Sequence, residues 1–148
     1  MPDSETFITK VVVDLAKQEV TLVWTGPAAA SKEKGPFKCS PGKGKSGVDC
    51  DDVETSKKNG TLCTPKGDFK VIRHEDAFPS HPEAKWVTRF QDDARGIAIH
   101  YYPTVPDYPA SNGCVRMKSL AAAKLIHDNT KAGKSVVSVS GKLKKKPK

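Results

Sequence analysis

Along residues 6–24, apolar and polar positions alternate. Phe7, Thr9, Val11, Val13 and Leu15 share one side, and Val20, Leu22 and Trp24 resume the alternation after Ala16-Lys17-Gln18. A period of two predicts a half-buried hairpin. Residues 26–35 read as a loop with a short alanine run, followed by a strand around Phe37. Residues 40–59 are rich in Gly, Lys, Asp and Ser and offer little to bury, as expected of a surface insertion. Further strands are predicted over 69–72, 86–90 and 96–102, the last central because Ile97, Ile99 and Tyr101 are large. Ser119 is a candidate cap for a helix carrying Ala121, Ala122, Leu125 and Ile126 on one side. Residues 129–133 end that helix, and 135–139 close as a strand. With no internal repeat and no βαβ alternation, the order predicts a small, mainly β domain with one main helix.

Composition agrees with a folded chain: 36% of the 148 residues are hydrophobic and 28% charged. One domain over 1–141 is expected. It carries a cysteine-bearing loop insertion at 38–63 and a basic, flexible tail at 142–148. The net charge is +8, of which Lys142, Lys144, Lys145, Lys146 and Lys148 supply five, leaving 8 − 5 = +3 for the body. Such a tail reads as a solvated extension able to meet polyanions such as acidic wall polymers. No nucleic-acid motif accompanies it, so no specific nucleic-acid partner is expected. No segment is apolar enough to span a bilayer, and the first thirty residues lack a secretory signal's apolar stretch. Export is therefore expected by another route, or after removal of a signal.

Cysteine usage separates two kinds of chemistry. Cys39, Cys50 and Cys63 lie in a polar stretch without zinc-ligand spacing, and one disulfide among them is expected in an oxidising compartment. Cys39–Cys50 would close the shortest loop, but the pairing is left open. Gly44-Lys45-Ser46 matches the end of a phosphate-binding loop, yet position 39, where that pattern needs glycine, is Cys39. Cys114 differs: Pro109-Ala110-Ser111-Asn112-Gly113-Cys114-Val115-Arg116-Met117 sets a thiol on a tight turn. A thiol there becomes a nucleophile once a base removes its proton. Among four histidines, His74 and His81 read as surface loop residues and His127 as a surface residue near a helix end. His100 follows Gly96-Ile97-Ala98-Ile99 on a strand, projecting opposite Ile99 and Tyr101.

The segments Gly-Ile-Ala-Ile-His (96–100) and Ser-Asn-Gly-Cys-Val-Arg-Met (111–117) together resemble the signature of the L,D-transpeptidase (YkuD-like) catalytic domain. Thr64-Pro65-Lys66-Gly67-Asp68-Phe69 is similar to that family's Thr-Pro-x-Gly-x-Phe element. Residues 13–18 are similar to its opening hairpin and 119–133 to its helix, so the resemblance covers about 6–140. It implies a small β-sandwich-like fold and acyl transfer on peptidoglycan stem peptides. By position, Cys114 is the implied nucleophile and His100 its general base, oriented through the Tyr101 carbonyl. The N–H groups of Gly113 and Cys114 are the expected oxyanion donors, with Ser111 and Asn112 in positioning roles. Arg116 either binds a substrate carboxylate or braces the loop through an internal ion pair. Most members carry His where this chain has Asn112, which forms hydrogen bonds but cannot take up a proton at neutral pH. The loop between His100 and Ser111 is short and proline-rich, with Tyr101 expected to pack and Tyr108 to rim a substrate groove.

The resemblance further implies attack on the third-residue carbonyl of a tetrapeptide stem, releasing D-alanine. An amine acceptor gives a 3→3 cross-link, and water gives L,D-carboxypeptidase trimming. No metal or organic cofactor is expected, and the expected setting is the periplasm or cell envelope, as a monomer. Two alternatives share the fold: a wall-binding protein impaired by Asn112, and an envelope-targeting antibacterial toxin.

Overall fold

A computed structural model describes residues 5–79, 81–90 and 96–143. The hairpin forms as β1 (Phe7–Asp14) and β2 (Glu19–Thr25). Asp14 Oδ1 closes the turn by accepting from the N–H groups of Ala16 and Lys17. Its inward set differs at the start. A bulge between Ile8 and Lys10 shifts the register, so Ile8 rather than Phe7 or Thr9 enters the core with Val11, Val13 and Leu15. One extra residue in one strand reverses which side the preceding side chains face.

Next come β3 (Phe37–Ser40), a one-turn helix α1 (Val53–Ser56), β4 (Gly67–Lys70), β5 (Arg73–Phe78) and β6 (His81–Arg89). The chain continues through β7 (Ala98–Tyr101), β8 (Val115–Met117), α2 (Leu120–Asn129) and β9 (Val136–Ser140). The strands form one curled sheet in the order β4-β9-β1-β2-β3-β8-β7-β6-β5. Helix α2 packs against β6, β7, β1 and β8. Ser119 Oγ caps it by accepting the Ala122 N–H at 3.0 Å. Ala122, Ala123 and Ile126 face the core, whereas Ala121, expected inward, is exposed.

Several expectations need correction. Residues 73–78 form an edge strand despite their polar sequence, because β6 supplies a hydrogen-bonded partner from Arg73↔Arg89 onward. His74 and His81 therefore lie on strands. His74 is half-buried, with Nε2 2.7 Å from Thr130 Oγ1. Since that hydroxyl donates to Ile126 O, the His74 ring donates to it. The strand expected at 69–72 runs instead over β4, and Ile72 is exposed. Within the insertion, the disulfide is Cys50–Cys63, with Cα atoms 5.5 Å apart. Cys39 belongs to β3, opposite Met117. It is sealed in the core, where burial, aided by Asp14 and Glu19, pushes its thiol up to about 12. The solvated extension expected from 142 does not begin there. Leu143 packs against the core and donates its N–H to Asp51 at 2.7 Å, and 144–148 lie outside the described residues.

Candidate active site

The site grows from a parallel pair of strands that sequence spacing alone does not align. β7 and β8 pair as Ile99↔Val115, His100↔Arg116 and Tyr101↔Met117. Ile99, Val115 and Met117 point into the core, so His100 and Arg116 share the opposite face. His100 is 4% exposed, and its Nδ1 lies 2.9 Å from the Tyr101 carbonyl oxygen. A carbonyl only accepts, so Nδ1 carries the hydrogen and neutral His100 keeps its lone pair on Nε2. Burial lowers its pKa to about 4. The Tyr101 hydrogen bond opposes that shift, and the Arg116 and Arg89 charges add to it. At neutral pH the imidazole is an uncharged base. The Phe78 and Tyr102 rings meet it edge-on, at 4.9 and 6.1 Å between centroids.

The thiol sits on a turn held from several directions. Gly113 has φ +132°, a conformation L side chains rarely adopt. Ser111 Oγ accepts the Gly113 N–H at 3.1 Å and donates to the Cys114 carbonyl. Gly113 N–H, expected as an oxyanion donor, is therefore engaged within the turn. On the other side, Thr64 Oγ1 donates to the Gly113 carbonyl at 2.7 Å. It also accepts the Gly42 N–H at 2.7 Å. Gly42 permits this approach, since a Cβ there would lie 2.4 Å from Leu62 O and 2.8 Å from Gly113 Cα. Cys114 is partly exposed and outside the disulfide, with Sγ 4.0 Å from the Gly96 carbonyl oxygen. That carbonyl also accepts from Arg89 Nη1 at 2.8 Å. Arg89 is in turn anchored on both carboxylate oxygens of Glu75, and its hydrogen bonds and charge hold the Glu75 carboxyl below its ordinary range.

His100 and Cys114 line one cavity of about 380 Å³, together with Tyr102, Ser111, Asn112 and Arg116. Asn112 is exposed at its edge. Among the described residues Arg116 makes no ion pair. Its guanidinium lies 4.3 Å from the Tyr102 ring centroid, and Nη1 reaches the Thr104 carbonyl at 3.4 Å. Tyr101 packs on the core, as expected. Tyr108 does not rim this cavity. Its carbonyl is held by Ser40 Oγ at 2.7 Å, and the residue lines a separate space of about 560 Å³ beside the insertion. Gln18 ties down the same loop, its Nε2 donating to Pro106 O and Cys39 O. Tyr102 lines the cavity from the aromatic loop expected to wall it, whereas Phe78, His81, Arg89 and Thr64 were not foreseen here. Only Thr64 lay in a quoted motif, and Phe78 and His81 come from the β5–β6 hairpin that the polar sequence concealed. No cluster of metal-ligating side chains occurs among the described residues, and no helix there is long and apolar enough to cross a membrane.

A neutral imidazole of fixed tautomer, facing the same cavity as a thiol on a glycine turn, is suited to thiol-based acyl transfer. The family model for the L,D-transpeptidase catalytic domain matches residues 8–139. The chain belongs to that family. Solved structures agree in fold. An L,D-transpeptidase from Xylanimonas cellulosilytica (residues 123–326) is 25% identical, with TM-score 0.61 over 92% of this chain and 62% of that one. An L,D-transpeptidase from Stackebrandtia nassauensis is 20% identical, with TM-score 0.62 over 90% and 56%. The helical cell shape determining protein Pgp2 from Campylobacter jejuni is 18% identical, with TM-score 0.61 over 97% and 51%. The chain thus spans between half and two thirds of the length of these three. A search of curated proteins finds no match.

Proposed function

We propose that this chain transfers acyl groups of peptidoglycan stem peptides through Cys114, in the periplasm or cell envelope. The observation that carries the reading is the shared cavity of Cys114 and a neutral His100 whose lone pair is on Nε2. His100 takes the thiol proton as sulfur attacks the third-residue carbonyl of a tetrapeptide. The carbonyl π pair moves onto oxygen, forming an oxyanion that the Cys114 N–H stabilises. Collapse breaks the peptide bond, and the leaving D-alanine nitrogen takes the proton from His100. The resulting thioester is then attacked by an amine of a second stem, giving a 3→3 link, or by water. His100 takes the acceptor's proton, the C–S bond breaks, and the proton returns to the Cys114 sulfur. Arg116, on the cavity wall with its guanidinium over the Tyr102 ring, is the group for a stem carboxylate. The step needs no cofactor, because nucleophile, base and donor all come from the chain.

The test is mass spectrometry of disaccharide-tetrapeptide incubated with the protein, with and without an amine acceptor. Loss of D-alanine by the wild type and not by Cys114→Ala is expected. Unchanged stems in both would refute the reading. Asn112 favours one second reading, a wall-binding protein with impaired turnover, since that exposed amide neither takes up nor releases a proton at neutral pH. That reading predicts stem binding without product.

A further inference from the structure

The acyl-transfer reading places negative charge beside Cys114, and the way its peptide is held has a consequence for that charge. The Gly113 C=O and the Cys114 N–H are two ends of one planar trans peptide, so they point in opposite directions. We propose that Thr64 is a positioning residue of the oxyanion site: by holding the Gly113 carbonyl, its hydroxyl aims the Cys114 N–H at the oxygen of the attacked acyl group. The inference rests on the acyl-transfer reading and adds a residue to it.

Thr64 is suited to this in three respects. Its hydroxyl is committed both ways, donating to Gly113 O and accepting from Gly42 N–H at 2.7 Å each, so it has one orientation. It is 2% exposed and lies outside the wall of the cavity that Cys114 lines, so it acts from behind the turn and not as a substrate contact. Gly113, at φ +132°, has the freest kind of backbone; Ser111 holds its N–H and the Cys114 carbonyl, and Thr64 holds the carbonyl of the peptide between them. The bond also acts electronically, because donation to a carbonyl polarises the amide and strengthens its N–H as a donor. The Cys50–Cys63 disulfide ends one residue before Thr64 and ties that segment to the insertion.

Two rates separate aiming from mere support. Alkylation of Cys114 by iodoacetamide is displacement at a saturated carbon and forms no oxyanion. Acylation by 4-nitrophenyl acetate adds sulfur to a carbonyl, forms the oxyanion and expels 4-nitrophenolate. Cys114→Ala provides the blank for both, and the sealed Cys39 contributes little. Thr64→Val is expected to slow acylation about tenfold to a hundredfold while alkylation stays within about twofold. Thr64→Ser, which keeps the hydroxyl, is expected to recover the acylation rate. Should Thr64→Val not fold, Thr64→Ala, which leaves room for water at Gly42 N–H, gives the same ratio. Parallel loss of both rates, or loss of neither, overturns the assignment. A wild type that is alkylated but never acylated overturns the acyl-transfer reading itself.

Discussion

Protonating His100 should destabilise this domain at a pH where an ordinary surface histidine is harmless. In the unfolded chain its pKa is the ordinary 6.5, whereas in the folded chain burial holds it at about 4. The folded-state value is depressed, so the unfolded chain binds more protons between these limits. The stability from keeping the ring neutral is complete above about pH 6.5 and is lost as pH falls towards 4. A gap of about 2.5 units at about 1.4 kcal/mol each, less the half-titration at the lower limit, gives about 3 kcal/mol. That is a large share of the 5–15 kcal/mol typical of a domain. The assay is urea unfolding at about pH 7, 5.5 and 4 for the wild type and His100→Asn, whose amide still donates to the Tyr101 carbonyl. The wild type should lose about 3 kcal/mol more than the variant across that range. His74, also shifted down by burial and by the His127 charge, is common to both proteins and cancels. Equal losses would refute the argument. The same protonation sets an acid limb for Cys114 acylation near pH 4, since only the neutral ring accepts a proton.

Two further outcomes follow from the backbone around the thiol. Gly42→Ala drives a methyl into Leu62 O and Gly113 Cα, both backbone. It should cost about 1–3 kcal/mol in urea unfolding and lower Cys114 acylation as well. Stability at the wild-type level would show that the three segments part without cost. Replacing Cys50 and Cys63 together by Ala opens a bridge spanning a sequence separation of 13 and should cost about 3 kcal/mol. An unchanged midpoint in urea would show that the Lys66–Asp51 pair and Leu143 hold the insertion without it.

What the sequence determined by itself was local in origin. The β1–β2 hairpin follows from period-two alternation, the start of α2 from one serine ahead of an apolar stripe, and the thiol turn from glycine before Cys114. In each case the deciding atoms lie within a few residues, so neighbouring side chains and backbone sterics carry the information. His100 is an intermediate case. Its strand was legible, and the Tyr101 carbonyl lies one residue away, but its role came from resemblance and its lowered pKa from packing. Tertiary structure alone decided the rest. β5 is polar and becomes a strand only because β6 offers it hydrogen bonds, while β8 is three residues long and exists only between β3 and β7. The cysteine partnership went against loop length because β3 carries Cys39 into the core, where pairing with Met117 holds it away from the insertion. Tyr108 turned away because Ser40 and Gln18 fix its loop. Thr64 meets Gly113 across 49 residues of chain, a contact no local period encodes. Sequence shows which groups are present; sheet closure sets which of them meet, because only there do backbone donors find acceptors far along the chain.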